Sequence, residues 1–238
     1  MGGGSMLDGL QPSILGRHIT HEVQVSDTGQ IVILNGPSRS GKTSIARAIQ
    51  QACDGIWMNL GMDLHISATP PAYRPGVGLR PQKPEHAIQT APGRVPLPVL
   101  EDKVPVLYAA LYESVAAHAR LGLNVVVDVY HHDFYTRPRG ILPDCARRLN
   151  GLPVLFVGVF CPIEFIWERR EKTWGQIRDA VGEDVRVAVE LHQLAARQHH
   201  YDLELDTSRL SPEECAEMIR SRLDEGPPGS VIRGLAGA

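Results

Sequence analysis

Residues 36–43 read Gly-Pro-Ser-Arg-Ser-Gly-Lys-Thr and satisfy the pattern G-x-x-x-x-G-K-[ST] in full. A polyphosphate needs donors and positive charge on several oxygens at once. Backbone N–H groups of a tight loop and of the helix start behind it supply the donors, and the helix dipole favours the anion. Gly36 and Gly41 let the backbone turn without a Cβ in the way. Gly36, Pro37, Ser38, Arg39, Ser40, Gly41, Lys42, Thr43 and Ser44 are therefore the candidate phosphate-binding residues. Lys42 would reach the outer phosphates, and the Thr43 hydroxyl would ligate Mg²⁺. The alternative is a chance match, and the flanking sequence argues against it. Ile31–Leu34 is a short β-branched apolar run, and helix-forming sequence follows from Thr43 to about Cys53.

Two further carboxylates sit where an open α/β sheet exposes reactive groups, just outside the carboxyl ends of strands. Asp63 follows the apolar run Ile56–Leu60. It reads either as a reactive carboxylate or as a helix N-cap, the commoner use of Asp at such a position. Asp128 closes the run Leu123-Asn124-Val125-Val126-Val127. In a phosphate-loop protein that position helps hold Mg²⁺, although a turn aspartate would look the same. His131-His132-Asp133 lacks the further ligands a zinc site needs and reads as pocket rim. The charged run Glu168-Arg169-Arg170-Glu171-Lys172 is either a solvated helix face or a basic lid, with Arg170 the favoured residue of a lid.

The elements that must position these residues alternate. Strands at 31–34, 56–60, 123–128, 154–160 and 201–208 are separated by helices, which predicts a three-layer α/β fold with a parallel sheet. Helices are expected over 102–121, 143–150, 163–172 and 185–199, with Pro105 in the first turn of the helix that it enters. A last helix, capped by Ser211, runs to about Leu223. Eight of the eighteen prolines fall within residues 69–98, a span that reads as a substrate wall or a disordered insertion. The organisation expected is one domain over 7–225, a cloning scar over 1–6 and a loose Gly/Pro-rich tail over 226–238.

The chain has 238 residues and a formal net charge of −3, which gives no reason to propose a nucleic-acid or anionic-membrane partner. No apolar run approaches membrane-spanning length and no signal peptide is seen. Four scattered cysteines, with no C-x-x-C pair, look like the reduced thiols of a cytoplasmic protein. Oligomeric state is not legible.

With the loop, Asp63, Asp128 and the segment Tyr201–Thr207 in hand, the chain resembles the chloramphenicol phosphotransferase family of small P-loop kinases. The likeness runs from about Gln30 to Leu223. It rests on Gly61-Met62-Asp63, on Val-Val-Val-Asp ending at Asp128 and on Val157-Gly158-Val159-Phe160-Cys161. Arg170-Glu171 and Tyr201-Asp202-x-Glu204-x-Asp206-Thr207 complete it. The resemblance implies a five-stranded sheet of order 2-3-1-4-5, a small helical lid, ATP and Mg²⁺ as cofactors, and transfer of the γ-phosphate to a hydroxyl of a small molecule. It places the catalytic base on Asp63 and the adenine ring beside Tyr201–Ser208. Where the family's lid continues with an Arg-Gly-Asp-Arg type run, this chain has Trp174-Gly175-Gln176-Ile177, so the lid arginine is Arg170 or Arg178. The Pro-rich segment matches no chloramphenicol site, so the acceptor, an antibiotic or otherwise, does not transfer with the fold. Two rival readings stand beside a small-molecule kinase. One is a nucleotide or nucleotide-sugar kinase of the zeta-toxin kind, using Arg74, Arg80 and Arg94 against a second phosphate. The other is a non-catalytic nucleotide-binding module. A GTPase is disfavoured because no Asn-Lys-x-Asp segment occurs.

Overall fold

The computed structural model describes residues 28–70, 97–132, 137–226 and 228–237. Five strands form one all-parallel sheet: β1 (Ile31–Asn35), β2 (Trp57–Asn59), β3 (Asn124–Val129), β4 (Val154–Phe160) and β5 (Leu203–Asp206). Their order is β2-β3-β1-β4-β5, as the resemblance implied. β1 lies at the centre, with Ile31 opposite Val125 on one side and Val154 on the other. Its run Ile-Val-Ile-Leu is wholly buried because both faces of a parallel sheet are covered.

The period-two alternation of the strands sorts their side chains into two layers. Ile31, Ile33, Val125, Val127 and Phe156 face α3 (Leu97–Arg120), α4 (Ile141–Arg148) and α8 (Val231–Ala236). Val32, Leu34, Val126, Leu155 and Val157 face α1 (Lys42–Ala52) and α7 (Pro212–Asp224). A third, small cluster of Cys161, Ile166, Trp167 and Val189 joins α5 (Ile163–Trp174) to α6 (Glu183–Ala196). The remaining helix, α2 (Met62–Ala68), follows β2. Ser211 caps α7 as expected, accepting from the Glu214 N–H while the Glu214 carboxylate accepts from the Ser211 N–H.

Two elements depart from the sequence reading. Helix α3 begins at Leu97, so Pro105 lies inside it and not in its first turn. Proline there removes one helical hydrogen bond. The burial of Val104, Tyr108, Leu111, Tyr112 and Val115 along the same face outweighs that loss. The Pro-rich residues 71–96 lie outside the described residues.

The expected loose tail contains α8. Ile232 is 2% exposed within the α3/α4 layer. Asp202 fastens the tail: its carboxylate accepts from the Ser230 N–H at 2.7 Å, the Val231 N–H at 3.2 Å and the Phe156 N–H at 3.0 Å. Gly229 is what allows the approach, since a Cβ there would fall 2.2 Å from Asp202 Oδ2. Composition reads such a stretch as loose because its order comes from one distant carboxylate. Ile232→Ala should therefore lower the unfolding free energy by about 2 kcal/mol or more, read as a shifted urea midpoint. An unchanged midpoint would show that α8 contributes nothing to the core.

Candidate functional site

The chain leaves β1 at Asn35 and passes close under β4. A Cβ on Gly36 would meet the Val159 carbonyl oxygen at 2.2 Å, so no other residue fits there without moving backbone. The loop ends at Gly41, the N-cap of α1, with φ +105°. Between them Arg39 takes φ +69°, the one left-handed non-glycine among the described residues. Such a conformation costs roughly 1–2 kcal/mol for a residue with a Cβ.

Lys42 is buried at the start of α1, and its ammonium donates to the carbonyls of Gly36 at 2.8 Å and Pro37 at 2.9 Å. It also lies 3.6 Å from Asp128 Oδ1. The Thr43 hydroxyl donates to Asp128 Oδ2 at 2.6 Å. Thus the loop lysine, the loop threonine and the β3 carboxylate form one knot. Thr43 and Asp128 are hard oxygen donors side by side, the ligand chemistry that suits Mg²⁺ when phosphates and water supply the rest of the shell.

The knot sits at the floor of a cavity of about 540 Å³ at the carboxyl end of the sheet. Asp63 is exposed and lines it. The N-cap position of α2 is Gly61, with Asp63 two residues on in the first turn. The capping alternative is therefore not realised, and the carboxylate is left to the cavity. On one side the wall is Thr207, Leu210 and Pro212. On the other it is Met62, Ile66, Tyr130 and His192, with the Tyr130 and His192 rings 4.6 Å apart. Of the segment expected beside the adenine, Thr207 reaches the cavity, whereas Asp202 is turned to the tail.

The structure separates the candidate lid arginines. Arg170 is 3% exposed, packed near the Trp167 and Trp174 rings, and donates to Gln176 Oε1 at 2.6 Å. Arg178 is exposed in a short 3-10 turn, Arg178–Ala180. Neither lines the cavity. The arginines that do are Arg169 and Arg39. Arg169 donates through Nη1 to the Arg39 carbonyl at 3.1 Å and Thr207 Oγ1 at 3.0 Å, and through Nη2 to the Thr207 carbonyl at 2.8 Å. Thr207 in turn donates to the Ser40 carbonyl at 2.7 Å. Arg169 therefore staples the phosphate loop to the end of β5. Helical phase holds the signal: Ile166, Trp167 and Arg170 share the inward stripe, while Arg169 and Thr173 face the cavity.

Beneath the loop, Asn35 is fully buried and ties three strands. Its Nδ2 donates to the Tyr201 hydroxyl at 2.9 Å and its Oδ1 accepts from the His131 N–H at 2.7 Å. The His131 ring bonds the Tyr112 hydroxyl at 2.7 Å. Burial, helped by the neighbouring His199 and His132, lowers the His131 pKa to about 3. His131 and His132 are thus buried under the rim and not exposed on it.

The family model for chloramphenicol phosphotransferase-like proteins matches residues 29–224. The chain belongs to the chloramphenicol phosphotransferase-like family. Two proteins from strains of Mycobacterium tuberculosis, each named "Putative O-phosphotransferase", are 30% identical to it over 210 residues, 84% of this chain and of theirs. The fold is shared with the APS kinase of M. tuberculosis solved with AMPPNP and APS, at 16% identity and a TM-score of 0.54 over 83% of this chain and 99% of that one. It is shared also with a gluconokinase from Sinorhizobium meliloti 1021, at 18% identity and a TM-score of 0.50 over 84% and 95%. The chain is thus a phosphotransferase with the P-loop kinase fold expected from its sequence.

His131 gives the site's support a pH signature. The neutral ring is buried in the folded state, while an unfolded His131 takes up a proton near pH 6.5. Its contribution is complete above pH 6.5 and is lost as pH falls towards 3. The stability gap between wild type and His131→Gln should narrow by about 2 kcal/mol between pH 7 and pH 5. Parallel stability curves across that range would contradict the buried neutral ring.

Proposed function

We propose that this protein is an ATP- and Mg²⁺-dependent O-phosphotransferase acting on a hydroxyl of a small molecule. The observation that supports it most is the Lys42–Asp128–Thr43 knot on the floor of the cavity that Asp63 lines. The Lys42 ammonium donates to two loop carbonyls, and phosphate oxygens are stronger, charged acceptors for the same donor. The loop amides and the start of α1 receive the rest of the polyphosphate. Mg²⁺ held by Thr43 and Asp128 would neutralise charge on the outer phosphates. Thr207, Leu210 and Pro212 offer a wall for the base, stapled to the loop by Arg169. Asp63 orients the acceptor hydroxyl and takes its proton as the oxygen bonds to phosphorus.

The acceptor side is mostly apolar and aromatic through Met62, Ile66 and Tyr130, with His192 beside them. That wall supports an uncharged alcohol, an antibiotic such as chloramphenicol among the candidates, over an acceptor bearing its own phosphate. The cations that a nucleotide or nucleotide-sugar acceptor would call on, Arg74, Arg80 and Arg94, lie outside the described residues. None of the described helices is long and apolar enough to cross a membrane.

Asp63→Asn should leave MgADP affinity within about threefold and cut phosphoryl transfer by about a hundredfold or more, with acceptors screened by ADP release and mass spectrometry of the product. Transfer at the wild-type rate would remove Asp63 from the role of base. For the metal, Asp128→Asn and Thr43→Ala should each abolish most of the tightening that Mg²⁺ gives to ADP binding, measured by calorimetry with and without the cation. A wild-type Mg²⁺ effect in both variants would place the ion elsewhere.

A further inference from the structure

Arg39 is the residue of the phosphate loop whose side chain the loop's architecture does not use. Its guanidinium makes no hydrogen bond and no ion pair with any of the described residues. Its Nε is shut off from solvent and unbonded. Among the described residues it stacks on a ring, with Cζ 3.7 Å from the centroid of Trp174 at the end of α5. A guanidinium carries five N–H donors, and stacking by its face leaves the edge that bears them open. Arg39 lines the same cavity as Lys42, Thr43 and Asp63, and the Asp63 charge partly offsets the burial of its guanidinium. Of the other arginines, Arg169 is engaged by Thr207 and the Arg39 carbonyl and Arg170 by Gln176 and two tryptophan rings, while Arg178 does not line the cavity.

The backbone points the same way. Arg39 occupies the left-handed region, where glycine sits without strain. The Arg169 guanidinium holds its carbonyl there. Strain of this kind persists where the surrounding structure over-determines it, and it gathers at sites that do chemistry. A long cation at this strained crest, with its N–H donors unused by the described residues, is costly to the fold and available to a ligand.

We propose that the Arg39 side chain, supplied by the phosphate loop itself, is the catalytic cation that meets the transferred phosphoryl group, in place of an arginine from the lid helix. This rests on the kinase reading above. In the step, the acceptor oxygen bonds to the γ-phosphorus, the bond from that phosphorus to the β-bridging oxygen breaks, and ADP leaves. The hydroxyl proton goes to Asp63. Arg39 keeps all its protons and donates hydrogen bonds to the non-bridging oxygens, whose charge is greatest in flight. The Trp174 face aligns the guanidinium beforehand, so the alignment is not lost from the binding energy of the substrate.

The test compares MgADP with MgADP plus aluminium fluoride, which mimics the phosphoryl in flight, by calorimetry on wild type, Arg39→Gly, Arg39→Lys and Trp174→Leu. Glycine is chosen because it relieves the strained φ and keeps the loop amides. Arg39→Gly should bind MgADP within about threefold of wild type and lose about thirtyfold or more of the tightening that aluminium fluoride gives. Arg39→Lys should fall between, keeping the charge without the fork. The slow hydrolysis of ATP by water, read as ADP release, should fall at least tenfold in Arg39→Gly. Equal tightening and equal hydrolysis in Arg39→Gly and wild type would overturn the proposal while leaving the kinase reading intact. So would losses as large in Trp174→Leu as in Arg39→Gly, because Arg39 would then serve only to hold the lid. A wild type that binds no MgADP would overturn the kinase reading, and this one with it.

Discussion

The pairing of β1 with β3 is the constraint on which the site depends. Leu34 is opposite Asp128 and Asn35 opposite Val129, so the carboxylate stands level with the last turn of chain before the phosphate loop. Parity does the rest. Val126 points into the layer that packs on α1, and Asp128, two residues on, points to the same face. There it meets the first residues of α1, Lys42 and Thr43. A slip of one residue would turn the carboxylate to the α3 side and put a valine against the lysine. The buried valines above and below are what forbid that slip, so the register of an apolar ladder sets the geometry of a charged knot.

The electrostatics of the ligand-free site follow from this knot. A buried ammonium needs partners, and Lys42 finds them in two carbonyls of its own loop and in Asp128. The same loop is held from the other side by Arg169 and Thr207. Its backbone is thus held from two sides, by the sheet end through Arg169 and Thr207 and by Lys42 from within.

Much of this was legible in the sequence, for identifiable reasons. The phosphate loop is read from spacing because few residue types tolerate its turns: at Gly36 an added Cβ would fall 2.2 Å from the Val159 carbonyl oxygen. Four strands are read because a sheet covered on both faces leaves apolar runs, and the fifth because Tyr201–Ser208 alternates apolar and polar. What escaped reading depends on distance in the chain. The order of the tail comes from Asp202, some thirty residues away in sequence, and no local composition reports it. Asp63 could not be told from a cap until Gly61 was seen to occupy that position. The motif leaves the lid arginine as Arg170 or Arg178, and only helical phase shows that Arg170 lies on the inward stripe with Ile166 and Trp167. Arg39 was recognised as part of the loop, but its left-handed backbone and its stack on Trp174 are properties of the folded chain.

The third hydrophobic cluster has its own consequence. Cys161, Ile166, Trp167 and Val189 form a small unit apart from the two layers that flank the sheet. The pair α5 and α6 is also held by polar contacts: Arg169 on α5 donates to Thr207 and to the Arg39 carbonyl, and Gln193 on α6 donates to the Cys161 carbonyl. Trp174 at the end of α5 stacks on the Arg39 guanidinium while Arg169 of the same helix bonds the Arg39 carbonyl, so one helix touches both the side chain and the backbone of that loop residue. The position of α5 and the shape of the loop crest are therefore coupled at two points, one through a ring face and one through a carbonyl.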